Sequence, residues 1–592
     1  MEEKTRGIAF AAVLLLSAAA PSTLAQSAAN RVTHVQLESR GTTEIGGLAP
    51  RGSMPGVLTL RMRNHPDPDA GVRVGAEVQL PIPQPRPKGV VGTAGKNAFG
   101  FDGMHSIDSA LVNEGFISEP PDQGLCVGNG FVMEAINSAV AVYDPSSGAL
   151  LAGPLQINAF FKLDFAQFTS DPRCVFDTTT RRWFVTMLQI DIDPNTGNVT
   201  NHSHGLIAVS STASPLSTFQ VFAIDTTDDG TNGTQSHPGC PCFGDQPLIG
   251  ADRNGFFYST NEFSITALTG SGPVFSNGAQ VYAMSKEQVA GGQSPTVVHF
   301  GDIPLTQGHL ARSIQPALSA LTEDGDDADR GVEYFVSHLN FNHTLDNRLA
   351  VWAISDTRTL KNANPQVELT NTIIKSEVYG DPPSATQAAG ANPFGASQVP
   401  PQPEGELDTG DTRMQQVFFA GDLIWTGVTT IVQQGNNQLS GAAFFVIQPD
   451  FSNGHVRAHI DNQGYVTIAN NNVLYPAIAV NQDGKAVITF TVSGPDFFPS
   501  AAYARLKEDS GVGKVHIIAV GAFPDDGFTM YPPFSSGVGR WGDYSAATVD
   551  DNGNLWFATE YIPATLSGFP QGLGVNFGTF IGALNLADHD ED

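Results

Sequence analysis

Positive charge is scarce in this chain. Its 30 Lys+Arg face 59 Asp+Glu, leaving a formal net charge of -29. A surface of that sign repels phosphate backbones and anionic lipid, so neither nucleic acid nor a membrane surface is an expected partner. Cysteine is rarer still, with four in 592 residues. After the first 25 residues no apolar run is long enough for a transmembrane helix. No amphipathic helical pattern stands out, which argues against helical bundles and α/β sheets. Gly-x-Ser-x-Gly, His-Glu-x-x-His and P-loop signatures are also missing, so the common hydrolase and nucleotide-binding sites have no footing.

Turn formers and apolar residues are what the chain has. Gly (62) and Pro (39) make up about 17% of it, above the usual ~12% and below the level of a disordered chain. With 41% hydrophobic residues, 37 Phe among them, there is ample material for a core. A folded, mostly β protein with many turns is expected.

The opening MEEKTRGIAFAAVLLLSAAAPSTLAQ reads as a secretory signal peptide over residues 1–25, with Lys4 and Arg6 before an apolar stretch and Thr23-Leu24-Ala25 before the cut. Export to the periplasm, cell surface or medium follows. Residues 26–115 read as an extended linker region holding a candidate closing strand, 116–586 as the main domain, and 587–592 as an acidic tail. An even cysteine count in an exported chain suggests up to two disulfides. A bridge within Cys240-Pro241-Cys242 looks strained, so each of these is expected to pair with Cys126 or Cys174. A zinc site is the rival reading, with only His237 nearby and no Cys-x-x-Cys.

One pattern recurs. DQGLCVGNGFVMEA (122–135), DPRCVFDTTTRRWFVT (171–186), DQPLIGADRNGFFYST (245–260), YPAIAVNQDGKAVIT (475–489) and YSAATVDDNGNLWFAT (544–559) share a polar or Tyr start, a short strand, an Asp/Asn/Gly turn and an aromatic-rich strand. Residues 414–426 fit with a shortened turn, and 314–337 with an acidic insertion. This is a β-hairpin signature. A third apolar run follows each hairpin and a fourth follows six of them, which predicts four-stranded antiparallel units. Such units repeated around an axis make an all-β propeller. Seven blades is the count, with six or eight as alternatives. The seventh unit ends after three strands, so a strand from before residue 122 must complete it, with 31–38 and 56–62 as candidates. The segment 380–406 must bulge out as a loop.

The segments EPPDQGLCVGNGFV, SDPRCVFD, CFGDQPLIGAD, YPAIAVNQDG and RWGDYSAATVDDNG resemble secreted bacterial β-propeller proteins related to the sialidase-like (BNR/Asp-box) superfamily. The resemblance runs from about Glu119 to the C-terminus and implies a propeller. It departs from true sialidases in two places. Only the Asp/Asn-Gly turn of the Asp-box is kept, in 480–490 and 549–557, and the Arg-Ile-Pro motif is absent.

Arg173, Arg312, Arg413 and Arg540 lie at or just before the first strand of a unit, and Asp171, Asp245, Asp411 and Asp543 occupy similar points. Converging guanidinium groups would bind a carboxylate, sulfate or phosphate, while local Asp–Arg pairing is the competing reading. A sialidase-type mechanism needs a Tyr nucleophile and a carboxylate; Tyr475, Tyr531 and Tyr544 are available, and Asp171, Asp543 and Tyr544 are the catalytic candidates. Acidic turns supply calcium candidates: Asp191, Asp193 and Asn195; Asp225, Asp228 and Asp229 (with Asn232); and residues 322–331. The expected function is an exported, non-catalytic propeller, a monomer, binding an extracellular carbohydrate, peptide or surface polymer. A sialidase-like glycoside hydrolase or lyase acting on an anionic sugar is the alternative.

Overall fold

A computed structural model describes residues 31–47, 59–62, 80–95, 97–269, 275–305, 308–319, 331–340, 344–507, 511–535, 537–564 and 574–585. The expected signal peptide (1–25), the expected acidic tail (587–592) and almost all of the 322–331 turn lie outside these residues.

Each recurrent hairpin becomes the inner half of an antiparallel meander. The first unit runs Gly124–Gly128, Phe131–Ile136, Ala139–Tyr143 and Leu150–Gln156. The second runs Phe168–Asp177, Arg182–Ile192, Val199–Ser210 and Phe219–Asp225. The third comprises Cys242–Ala251, Gly255–Ser264, Ser276–Ser285 and Thr296–Gly301. Gln315–Ser319, Glu333–His338, Leu345–Ser355 and Glu368–Gly380 form the fourth. The fifth is Val417–Ala420, Leu423–Gln434, Asn437–Ser452 and His455–Val466. In the sixth, Asn472–Val480, Ala486–Gly494, Phe497–Lys507 and Gly511–Ala519 pair in turn. The last pairs Ala546–Val549, Leu555–Tyr561 and Gly578–Leu584. Its fourth strand is Ala98–His105, drawn from the N-terminal region.

That last pairing corrects the choice of strand. A segment before residue 122 does complete the unit, but Arg31–Gln36 adds to the outer edge of the third unit and Glu38–Thr43 to the second. Thr59–Met62 pairs with Phe116–Glu119 instead. The AFGFDGMH run was hard to choose because Gly100, Asp102 and Gly103 interrupt its apolar alternation. Four described strands of the 26–115 region thus join units, Val90–Val91 extending the sixth in parallel.

Apolar cores lie between neighbouring units. Cys126, Met133 and Val142 of the first pack with Phe176, Trp183 and Leu206 of the second. Leu125 and Val127, on the opposite side of the first, pack with Trp556, Ile581 and Ala583 of the last. Both faces of these strands are buried, so they read as nearly continuous apolar runs. At Gly128 an added Cβ would collide with the Phe176 ring, so the missing side chain lets the second unit approach. Glu134 seals the junction between the first and last units: it accepts hydrogen bonds from Met104 N (2.9 Å), Tyr143 Oη (3.2 Å) and the Thr579 hydroxyl. The first strands of successive units pack side by side, and Ala546–Val549 packs against Gly124–Gly128.

The disulfides differ from expectation. Cys126 pairs with Cys174 across the first strands of two adjacent units, with Cα atoms 5.3 Å apart. Cys240 pairs with Cys242, whose Cα lies 4.4 Å away. That is the short end of the usual range, so the two-residue spacing does not forbid a bridge. No helix among the described residues is long and apolar enough to cross a membrane.

Candidate functional site

The site begins where each first strand begins. Asp122, Asp171, Gln246, Ser313 and Tyr475 all hold left-handed backbone, with φ between 45° and 63°. Non-glycine residues adopt this region at a cost, so the surroundings must fix it. The preceding unit supplies the fixing group. Asn137 Oδ1 accepts from Asp171 N (2.8 Å), Asn261 Oδ1 from Ser313 N (2.7 Å) and Thr429 Oγ1 from Tyr475 N (3.2 Å). The strand register slips at the same places, between Ser170 and Arg173, Asp245 and Leu248, and Leu474 and Ala477. Each slip re-aims side chains near the start of its strand.

Three of the four candidate arginines converge. Arg540 Nη1 donates to Asp408 Oδ2 (2.5 Å) and Nη2 to both oxygens of Asp543 (2.5 and 2.6 Å). Arg413 Nε donates to both oxygens of Asp411 (2.9 and 2.8 Å), and its Nη1 reaches across to Gln246 Oε1 (2.6 Å). The Arg173 guanidinium lies 3.3 Å over the centre of the Tyr544 ring, and Nε donates to Pro247 O (3.2 Å). The field of Asp543 reaches all three guanidinium groups. Arg312 is buried at the equivalent point of the fourth unit, next to Ser313.

Charge balance at this convergence favours the carboxylates. Asp122, Asp171, Asp245, Asp408, Asp411 and Asp543 surround the arginines. Burial pulls the Arg413 and Arg540 guanidinium groups down, and the neighbouring carboxylates more than reverse it. Arg173 has the weaker compensation, and burial leaves it below its ordinary value. Burial pushes the Tyr544 hydroxyl well up against the opposing pull of Arg173, and the hydroxyl donates to Pro172 O (3.0 Å). Such a phenol is a structural donor. The Tyr475 hydroxyl is also pushed up by burial, and it has no hydrogen-bond partner.

Outside the Arg540–Asp408 pair lies a cleft of about 530 Å³. One wall is the loop 380–406, which packs down rather than standing free: Asp526 accepts from Phe394 N (2.6 Å) and Gly395 N (2.9 Å). The other wall is the 530–537 stretch. Thr386, Gln387, Gln402, Glu404, Glu406 and Tyr531 line it. Behind it sits a second acidic group that sequence reasoning missed: Glu119, Asp525 and Glu560. Burial first, then neighbouring carboxylates, raises all three, Asp525 to about 7. Gly527 has no side chain because Glu119 occupies the space a Cβ would need. These residues sit outside the hairpin template and share no spacing, so no sequence signal pointed to them.

The calcium candidates divide. Asp193 accepts from Asn195 N, and Asp229 from Thr231 N, each closing its own turn at 2.9 Å. Asp191 accepts from Gln189 Nε2 (2.8 Å) and Asp225 from Thr227 N (2.9 Å) and Asn232 Nδ2 (2.9 Å). Asp228 turns inward and is buried.

What the fold defines at this point is a nearly all-β protein of successive meanders. No protein-family model matches the chain. No curated protein matches it either. Among solved structures it is similar to a protein of unknown function from Dyadobacter fermentans, at 8% identity and a TM-score of 0.32, covering 71% of this chain and 96% of that one. It is also similar to the Trypanosoma rangeli sialidase in complex with sialic acid (10%, TM-score 0.33, 76% and 57%) and to an ulvan lyase (9%, 0.29, 78% and 91%). At such values no activity carries over.

Proposed function

We propose that this chain is a seven-bladed β-propeller, exported and non-catalytic, that binds a neutral, hydroxyl-rich carbohydrate in the cleft between 380–406 and 530–537. The carrying observation is the state of the arginines. Arg413 and Arg540 converge, as an anion site would require, but Asp411, Asp408 and Asp543 already take up their donors. An anionic sugar would have to displace those carboxylates. Sugar hydroxyls, which both donate and accept, suit the amides of Gln387 and Gln402, the carboxylates of Glu404 and Glu406, and the Tyr531 ring. The seven-blade reading rests on the order of the meanders and on Ala98–His105 completing the last one.

A second reading has one observation in its favour. Asp525, raised to about 7 by burial behind the cleft, has the protonation suited to a general acid. That is the glycoside hydrolase alternative. A glycan-array screen of the mature chain, followed by a reducing-sugar assay on each hit, separates the two. Neutral glycans bound without turnover support the proposal. Selective binding of sialylated or sulfated glycans sinks it, and turnover abolished by Asp525→Asn moves the assignment to the hydrolase.

A further inference from the structure

A separate cluster lies on the third unit and the connection leading into it. Asp228 and His237 come from the 226–241 connection, Glu262 from Gly255–Ser264, and His299 from Thr296–Gly301. All four side chains are buried. The metal-binding atoms of Asp228, His237 and Glu262 lie within 4.8 Å of one another. His237 Nδ1 is 2.8 Å from Glu262 Oε2 and 4.0 Å from Asp228 Oδ2; His299 Nδ1 is 4.0 Å from Asp228 Oδ1.

Two further observations point to a ligand. First, His299 Nδ1 is buried without a hydrogen-bond partner, and neither buried Asp228 oxygen meets a donor: that carboxyl faces the Glu262 carboxyl instead. A native interior satisfies such atoms, so a missing group is implied. Second, the imidazole tautomers are set from outside. His237 Nε2 faces Gln235 Oε1 at 3.0 Å, and His299 Nε2 faces Gln280 Oε1 at 2.9 Å. A carbonyl oxygen there calls for Nε2–H, which leaves Nδ1 of each ring as the lone-pair nitrogen, that of His237 facing Glu262 and that of His299 facing Asp228. Outer-sphere acceptors fix metal-binding histidines in this way. The Tyr282 ring, stacked on His299 at 4.3 Å, holds its plane.

We propose that Asp228, His237, Glu262 and His299 form a buried structural site for a divalent first-row transition ion of the zinc or manganese class. Two imidazoles and two carboxylates suit such ions, and imidazole is a poor ligand for calcium. Bonds of about 2.1 Å to a central ion place donors roughly 3–4 Å apart; Asp228, His237 and Glu262 lie within 4.8 Å of one another, and His299 meets the set through Asp228 at 4.0 Å. Among the described ion pairs, neither Asp228 nor Glu262 meets a lysine or arginine, so a dication supplies the charge two buried carboxylates lack. The ion would tie the 226–241 connection to two strands of the third unit.

The test uses the untagged mature chain stripped with EDTA and titrated with Zn²⁺, Mn²⁺ or Co²⁺. One equivalent retained after dialysis, a raised melting temperature and a Co²⁺ visible band typical of nitrogen–oxygen ligation are expected. His237→Gln and His299→Gln should each weaken retention at least ~10-fold. If a variant does not fold, judged by circular dichroism, the wild-type Co²⁺ spectrum decides. Folded wild-type protein that takes up no ion overturns the site and leaves a proton-sharing cluster. Retention unchanged in a folded His237→Gln/His299→Gln variant overturns it as well.

Discussion

Asp122 Oδ1 accepts a hydrogen bond from the backbone N–H of Asp543 at 2.7 Å, although 421 residues separate them. The other oxygen accepts from Asn137 Nδ2 (2.6 Å), and Asp543 grips Arg540. One carboxylate thus joins the first unit, the last unit and the arginine cluster. Asp122→Ala removes an acceptor from two buried donors, and a loss of roughly 2–4 kcal/mol is expected. A lowered denaturant midpoint with an unchanged slope checks it.

Arg413 and Asp411 are both largely buried and bonded through two oxygens. Arg413→Met leaves Asp411 uncompensated and should cost about 2–4 kcal/mol, whereas the Arg413→Met/Asp411→Leu pair should recover much of it. A double-mutant cycle on thermal melts measures the difference. If the cluster bound an anion through Arg413, the double variant would lose glycan binding while regaining stability.

Stability should fall as pH rises from about 4 to about 7. Asp525 and Glu134 are each raised to about 7 in the folded chain, Glu134 by burial against the pull of Thr579, Met104 and Tyr143. Asp526, Glu119 and Arg540 surround Asp525, and Asp108 faces Glu134. The folded state therefore holds protons that the unfolded chain releases near pH 4. Each such group contributes stability that is full below pH 4 and lost between about pH 4 and 7, at about 1.4 kcal/mol per pH unit. Asp411 runs the other way: Arg413 outweighs burial and holds it low, so its contribution is lost in acid. Melting temperatures from pH 4.5 to 8, with Glu134→Gln as the comparison, test the sign; a flat profile in the wild type contradicts it.

The two disulfides should differ in weight. Cys126–Cys174 closes a 48-residue separation and Cys240–Cys242 only 2. Loop-closure entropy predicts about 4 kcal/mol for the first and below about 2 for the second. Melting the two paired Cys→Ala variants separately measures both.

Trimming the N-terminus gives a topological test. Removing residues up to Thr43 strips the added outer strands of the second and third units and should leave a folded, less stable protein. Removing residues through His105 leaves Gly578–Leu584 with an open edge, and aggregation is expected. Light scattering of the two truncations distinguishes them.

The hairpins were legible because each carries its own turn chemistry: Asn129-Gly130, Asp483-Gly484 and Asn552-Gly553 announce reversals without help from the rest of the chain. What was not legible depends on partners far along the sequence. Gly100 and Gly103 weaken the appearance of the completing strand, and only its pairing with Gly578–Leu584 reveals it. Asp228 looks like its neighbours Asp225 and Asp229, yet it turns inward toward Glu262 and His299. His237 lacked company in sequence and gains it in space. Arg173, Arg413 and Arg540 share the field of Asp543, whereas the excess of carboxylate around them came from Asp122 and Asp408, outside the equivalent set.

The pairing order of the N-terminal strands also sets a timetable. Glu38–Thr43 must wait for Phe219–Asp225, Arg31–Gln36 for Thr296–Gly301, Val90–Val91 for Gly511–Ala519 and Ala98–His105 for Gly578–Leu584. These segments thus wait for partners made well after them. Ala98–His105 waits longest, since Gly578–Leu584 lies more than 470 residues further along, so this pairing cannot form early in synthesis.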